Sequence, residues 1–205
     1  MKSKIMVCAL FFSLITVVSA LSKDVLESEK VAVGTPIVQF NLQGTDGKMY
    51  SNQDFTTADV LVLIVTCNHC PYAKAAWQPL TALQDEFADK GVQFVAVNPN
   101  DAESYPEDSF ENMKEFVQQY KLNFPYLYDE SQQTAKQLGA VCTPDVFVYG
   151  KDRTLYFRGR VADNLFNPAE VTDESLKNAL NGLINGNPPP SEQNNSFGCS
   201  IKWKN

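Results

Sequence analysis

Two cysteines separated by two residues are the side chains of this 205-residue chain best suited to chemistry. They stand in the segment Cys67-Asn68-His69-Cys70-Pro71. Thiols at this spacing can close into a small disulfide ring, and a thiolate of the pair can attack a disulfide of another molecule. We therefore expect dithiol–disulfide exchange in which Cys67 is the nucleophile and Cys70 resolves the mixed disulfide.

His69 is the only histidine of the sequence and lies between the two cysteines. A cationic imidazole at this position would lower the pKa of Cys67 and stabilise its thiolate. A stabilised thiolate favours the reduced dithiol, so the couple would be more oxidising than one without histidine. A solvent-facing ring would instead make His69 a simple spacer.

Metal binding is a competing use of the same thiols. A structural zinc site would need Cys142 and Cys199 as further ligands, but these stand 57 positions apart and form no second close pair. Copper(I) would need only soft thiolates such as those of Cys67 and Cys70. We expect no metal and no dissociable cofactor, and a copper(I)-binding protein stays as an alternative.

The segments on either side of the two cysteines predict how they are positioned. The nearly unbroken aliphatic run from Val60 to Thr66 is typical of a strand covered on both faces of a sheet. After Pro71, apolar residues at helical spacing predict a helix to about Lys90. Both sulfurs would then lie at a helix N-terminus, where the helix dipole and free N–H groups stabilise a thiolate.

The rest of the chain alternates between strand and helix patterns. An Asp46-Gly47 turn predicts an N-terminal hairpin within residues 36–50. Later patterns predict, in order, a strand (92–97), a helix opened by Asp108, a strand (124–128), a short helix (131–138), a hairpin (145–149 with 155–158) and a last helix (172–184). This order predicts an α/β fold, a three-layer sandwich around a mixed central sheet.

The two ends of the chain differ from its middle. Residues 1–20 carry two lysines, an apolar stretch and the small-residue site Val18-Ser19-Ala20, which predicts a secretory signal peptide rather than a retained membrane anchor. The mature protein would then consist of a domain over residues 21–186 and a C-terminal tail over residues 187–205. We expect this tail to dock on the domain, because a disordered tail rarely ends with Phe, Cys, Ile and Trp.

Charge and cysteine content narrow the classes of function. The chain has a net charge of −7 and no run of Lys or Arg, which argues against nucleic acid and anionic membranes as partners. Export would place its cysteines where disulfides persist: the periplasm of a double-membraned bacterium, or the outside of another cell. After signal cleavage we expect no stable membrane insertion.

Three segments resemble the thioredoxin superfamily, and more narrowly the peroxiredoxin-like branch of the AhpC/TSA redoxins. They are Thr66 to Tyr72, Ala140 to Asp145 and Gly198 to Lys204. The resemblance covers Val33 to Lys204 and implies a thioredoxin-like fold with an inserted strand-helix unit between the CxxC and Pro144. It also implies that Pro144 is cis and lies beside Cys67, with Thr66, Thr143 and Pro144 shaping a groove for an extended substrate peptide.

Three departures from the family pattern matter for the chemistry. Thr66 replaces an aromatic residue before the CxxC, and residues 60–65 contain no carboxylate, so proton transfer must use water, His69 or another group. His69 also stands where a peroxiredoxin would carry its cysteine, so a thiol peroxidase is the alternative activity. Arg158 or Arg160 could polarise a peroxide, but we interpret both as solvated surface charges.

Cys142 and Cys199 have three possible roles. A structural disulfide that pins the tail is the interpretation we favour. Cys199 could instead be a resolving thiol for the CxxC, and Cys142 could be an apolar core residue. The expected partners are thiol or disulfide proteins or small thiols, with electrons exchanged with another dithiol protein, such as one tied to the membrane.

Overall fold

The computed structural model describes residues 31–204 of the chain. The predicted signal peptide, residues 1–20, lies outside the described residues. Among the helices within residues 31–204, none combines the length and apolar character needed to cross a membrane.

A seven-stranded mixed sheet forms the centre of the protein, in the order β2-β1-β5-β4-β3-β7-β8. Its strands are β1 (Asn41–Gly44), β2 (Met49–Ser51), β3 (Val60–Val65), β4 (Val92–Asn98), β5 (Tyr126–Tyr128), β7 (Asp145–Tyr149) and β8 (Leu155–Gly159). Strands β3, β4 and β5 run parallel, and the other neighbours pair antiparallel. A separate two-stranded ladder joins β6 (Cys142–Thr143) and β9 (Cys199–Ser200).

Helices cover both faces of the sheet. They are α1 (Pro71–Phe87), α2 (Phe110–Tyr120), α3 (Gln133–Gln137) and α4 (Ser175–Ile184). Apolar residues of α1, α2 and α4 pack in one core, whereas α3, the N-terminal hairpin and Ile201 of the tail pack in the other. The predicted α/β three-layer sandwich with a mixed sheet is confirmed.

The central strand β3 shows why its sequence is aliphatic throughout. Val62 and Ile64 point into the core beneath α1, and Leu61, Leu63 and Val65 point into the opposite core. Successive side chains of a strand point to opposite faces, so a strand covered on both sides needs apolar residues at every position. All six residues are buried, as the sequence predicted.

The predicted N-terminal hairpin and inserted unit are also present. Strands β1 and β2 pair antiparallel around a turn in which Gly47 has a φ of 85°, a value that glycine tolerates without steric cost. Between the CxxC and Pro144, the chain adds β5 at the far side of β4, after α2. The added strand lies beyond β4, so β3 keeps its place inside the sheet and the cysteines follow its C-terminal end.

Candidate active site

The two cysteines lie between the end of β3 and the first turn of α1. Cys70 is the N-cap residue of α1, and Pro71 occupies the first helical position, where a missing N–H costs nothing. Both cysteine side chains are completely buried. The strand-to-helix placement predicted from the sequence is therefore what the structure shows.

The segment before β7 closes over the cysteines. The Thr143–Pro144 peptide bond is cis, as the family resemblance implied. The hydroxyl of Thr143 lies 3.2 Å from the sulfur of Cys67, and its carbonyl oxygen accepts a hydrogen bond from the S–H of Cys70 at 3.2 Å. Thr66 is buried beneath this site, with its hydroxyl unpartnered in the part of the chain that the structure describes.

Asp108 is a site residue that the sequence analysis did not identify. Its carboxylate is buried and accepts hydrogen bonds from the backbone N–H groups of Asn68 (2.6 Å) and His69 (3.1 Å). The side-chain amide of Asn100 donates to it at 2.8 Å. The sequence signalled Asp108 only as a helix-start residue, because nothing local showed that its loop meets the CxxC.

His69 is directed at Asp108. Its Nδ1 lies 2.5 Å from the carboxylate, and its ring stacks on Tyr105 with centroids 5.1 Å apart. Ligand atoms of Cys67, His69 and Asp108 all lie within 4.8 Å of one another, so within residues 31–204 these three side chains form a group that could hold a metal ion. The predicted copper site used Cys67 and Cys70 instead.

The two thiols differ in acidity in a way the sequence did not predict. The pKa of Cys67 is raised by its hydrogen bond with Cys70, by burial and by the charge of Asp108. The pKa of Cys70 is lowered to about 4, chiefly by the hydrogen bond from Cys67, with further bonds from Cys199 and the N–H of Ala73. The reduced pair therefore shares a single proton near neutral pH, and tuning of this pair by His69 stays a prediction.

The β6–β9 ladder separates the other two cysteines. Cys142 lies opposite Ser200, and Thr143 lies opposite Cys199. Residues directly opposite share a face and successive residues do not, so Cys199 shares the face of Thr143 and packs against Cys67 and Cys70. Cys142 points the other way, and all four cysteines of residues 31–204 are free thiols. The favoured Cys142–Cys199 bridge is therefore not formed.

Arg158 corrects another expectation, because it is buried rather than solvated. Its Nη2 donates to the carboxylate of Asp145 at 2.8 Å and to the carbonyl of Gly139 at 2.6 Å. The pair lies near Cys142, whose pKa burial raises to about 12. Arg160 is partly exposed and pairs with Asp173 at 2.9 Å, away from the cysteines. Both arginines therefore have structural partners.

A mixed sheet, a CxxC at a helix N-terminus and an adjacent cis-proline define the class as a thioredoxin-like redoxin. Residues 33–158 match the AhpC/TSA family model, so the chain belongs to the AhpC/TSA family. A crystal structure of an uncharacterized conserved protein from Geobacillus kaustophilus is similar, with 42% identity and a TM-score of 0.81 over 86% of this chain and 94% of that chain.

Curated relatives agree with this class. The chain is 25% identical to the thiol-disulfide oxidoreductase ResA of Bacillus thuringiensis over 160 residues, 75% of this chain and 80% of that protein. It is 28% identical to the putative peroxiredoxin bcp of Helicobacter pylori over 128 residues, 62% of this chain and 73% of that protein. The protein is thus an oxidoreductase with a thioredoxin-like redox function.

Proposed function

We propose that the protein is an exported thiol–disulfide oxidoreductase in which Cys67 and Cys70 form the redox couple. The observation that carries this proposal is the buried cluster of Cys67, Cys70 and Ala73 at the N-terminus of α1, beside cis-Pro144. Two thiols that pack together at this spacing can join in a disulfide with little rearrangement. The reaction exchanges this pair with a dithiol or disulfide of a protein or small thiol.

The hydrogen bond between the sulfurs lowers one pKa and raises the other, so the reduced pair shares one proton near neutral pH. We keep Cys67 as the attacking thiol and Cys70 as the resolving thiol. Thr143 positions both sulfurs through its hydroxyl and carbonyl oxygens. Asp108 and His69 are the nearest acid–base pair through which the proton of Cys67 can leave.

Export and the partners follow from the N-terminal sequence and the redox chemistry. Residues 1–20 have the charged start, apolar stretch and small-residue site of a signal peptide. A protein delivered outside the cytoplasm would exchange electrons with thiol or disulfide proteins there, including a membrane-tied dithiol reductant. The resemblance places a substrate segment at Thr66, Thr143 and Pro144, which are buried in this structure beside the paired strands β6 and β9.

A thiol peroxidase is the second candidate, favoured by the relationship to the Helicobacter peroxiredoxin. His69 occupies the position of the peroxidatic cysteine in the family pattern, and both candidate arginines are held in ion pairs. Cysteine-dependent consumption of hydrogen peroxide with a recycling dithiol would support this activity. Its absence, with disulfide exchange intact, would exclude it.

A redox titration tests the proposed function. The mature protein is equilibrated with graded ratios of reduced to oxidised glutathione, free thiols are alkylated, and disulfide-linked peptides are identified by mass spectrometry. We expect Cys67 and Cys70 to interconvert reversibly as a pair, while the Cys142→Ser variant gives the same midpoint. If Cys67 and Cys70 never join in a disulfide at any ratio, the proposal fails.

A further inference from the structure

The C-terminal strand lies beside the buried Cys67–Cys70 pair, because its Cys199 packs against both cysteines. We call residues 198–201 the tail strand. It pairs antiparallel with β6, immediately before cis-Pro144. A Cβ added to Gly198 would lie 2.0 Å from the carbonyl oxygen of Thr143, so only glycine allows this approach. An extended segment that adds to an exposed strand edge is a general way in which proteins bind peptides.

Anchors on both sides keep the tail strand in this position. Ile201 is buried in the core that contains α3. The carbonyl of Lys202 accepts hydrogen bonds from the N–H of Asp101 and the side chain of Gln132, both at 2.9 Å. On the other side, Phe197 packs on the ring of Tyr72 in the first turn of α1. The tail strand is therefore held in register with β6.

This register brings a third thiol to the site. Cys199 packs against the buried cluster of Cys67, Cys70 and Ala73, and its thiol and backbone N–H both help to lower the pKa of Cys70. Cys67 and Cys70 are completely buried, whereas Cys199 is partly exposed. Cys199 is thus the thiol through which a partner can reach the buried pair while the tail strand stays in place.

We propose that Cys199 is a third redox residue of this site, which forms a disulfide with Cys70 as an intermediate between the Cys67–Cys70 pair and an external dithiol or disulfide. This proposal rests on the proposed function and extends it. The tail strand would present Cys199 to the pair in the way that a bound substrate peptide presents its cysteine. Unlike a substrate, the tail strand is part of the same chain.

The relay balances in atoms and electrons. From the oxidised enzyme, the Cys199 thiolate attacks the sulfur of Cys70; the Cys67–Cys70 bond breaks, the Cys70–Cys199 bond forms, and Cys67 leaves as a thiolate that takes up a proton. An external dithiol then attacks Cys199 and releases the Cys70 thiolate. The second thiol of that dithiol attacks its own bound sulfur, which frees Cys199 and yields an external disulfide. Two electrons have entered the enzyme, and an external disulfide drives the same steps backwards.

Cys142 provides the matched control, because it lies in the same ladder but on the opposite face. Its sulfur contacts the carbonyl of Pro144 at 3.8 Å rather than another thiol. A relay that depended only on a place in this ladder would use Cys142 as readily as Cys199. The register of the ladder predicts that it does not.

Trapping the intermediate tests the relay. The full mature Cys67→Ser variant is oxidised with glutathione disulfide and digested under non-reducing conditions. We expect a Cys70–Cys199 peptide pair, which persists in Cys67→Ser/Cys142→Ser and is absent from Cys67→Ser/Cys199→Ser. A Cys142–Cys199 pair, or unlinked Cys70 and Cys199 in a variant whose circular dichroism matches the wild type, would overturn the proposal.

Kinetics on the intact couple give a second test that does not depend on Cys67→Ser folding. In Cys199→Ser, the Cys67–Cys70 disulfide should still form, but a protein dithiol should reduce it at least ~10-fold more slowly, because access to the buried pair is lost. Cys142→Ser should react at the wild-type rate. Equal rates in both variants would refute the relay while leaving the Cys67–Cys70 couple intact, whereas loss of that couple in the wild type would refute the proposed function itself.

Discussion

The two faces of the β6–β9 ladder place two cysteines only one register position apart in opposite environments. On one face, Cys199 and Thr143 meet the sulfurs of Cys67 and Cys70. On the other face, Cys142 lies near the buried ion pair of Asp145 and Arg158. Cysteine content alone therefore says little about redox use, because the register of a two-residue ladder decides which thiol meets the reactive pair.

The charges on the two faces differ as well. On the redox face, the pKa of Cys70 is lowered to about 4 by hydrogen-bond donors, whereas burial raises the pKa of Cys199 to about 11. On the other face, burial raises the pKa of Cys142 to about 12, with the charge of Asp145 adding to the shift. Because Cys142 faces away from the reactive pair, we assign it a packing role.

Removing one thiol from each face in turn should give the largest difference in the rate of disulfide exchange. Cys70→Ser should lower the rate of disulfide exchange by at least ~10³-fold, because the Cys67–Cys70 disulfide can no longer form. Cys142→Ser should stay within about twofold of the wild type. Stopped-flow exchange with a small disulfide, followed by thiol release, measures both. Comparable losses in the two variants would show that the faces are not functionally distinct.

Breaking the ion pair should affect stability and leave the redox face unchanged. Arg158→Met leaves the buried Asp145 carboxylate without its cation, which should lower the free energy of unfolding by about 3 kcal/mol. The double variant Arg158→Met/Asp145→Asn should recover part of this loss. Urea unfolding measures the stability, and the glutathione titration should give an unchanged midpoint. A loss under about 1 kcal/mol would mean that the pair contributes little.

Asp108→Asn should have a smaller effect on the redox face, and it should change two quantities: the stability of the protein and the pKa of Cys67. The amide oxygen can still accept from the N–H groups of Asn68 and His69. Its NH₂ replaces the oxygen that the Asn100 amide and Nδ1 of His69 contact, at a cost of about 2 kcal/mol. Loss of the negative charge should also lower the pKa of Cys67, because that charge raises it. Thiolate absorbance against pH in Asp108→Asn/Cys70→Ser and in Cys70→Ser isolates this shift, and a purely structural role would leave it at zero.

The pH dependence of the couple should reveal the shared proton. The folded pKa of Cys70 lies below its unfolded value, so its thiolate stabilises the reduced protein above the unfolded pKa, and this stability is lost as pH falls towards about 4. At pH values above the lowered pKa of Cys70 and below the raised pKa of Cys67, reduction adds one proton to the pair, which Cys67 takes up. The reduction potential should therefore fall by about 30 mV per pH unit near neutral pH, and by about 59 mV below pH 4. A slope of about 59 mV throughout would assign two protons to the reduced pair.

Weakening one anchor of the tail should give the smallest effect. Gln132 has a φ of 64° and bonds the backbone at Lys202 and Lys204. Gln132→Asn tolerates this backbone conformation but is too short to keep both bonds. We expect a few-fold faster alkylation of Cys70, because the tail strand opens more often. The direction in which the protein exchanges disulfides should not change. Gln133→Asn, at the exposed neighbouring position, is the control and should alkylate at the wild-type rate.

Much of this protein follows from local sequence patterns. The aliphatic run in β3, the Asp46-Gly47 turn and the CxxC before a proline predict their elements correctly, because strand burial, turn geometry and helix starts depend on neighbouring residues. The α/β order of these elements then predicts the layers. Family resemblance adds the cis peptide before Pro144, which no local pattern shows.

The remaining features were decided by tertiary contacts. Asp108 enters the site because the loop before α2 crosses the end of β3, about 40 positions from the CxxC in sequence. Arg158 is buried because β8 places it against Asp145 on β7, and the role of Cys199 depends on pairing with a strand more than 50 positions away. The sequence alone determined which residues could do redox chemistry. Long-range register decided which of them meet, because a shift of one residue turns a side chain to the opposite face.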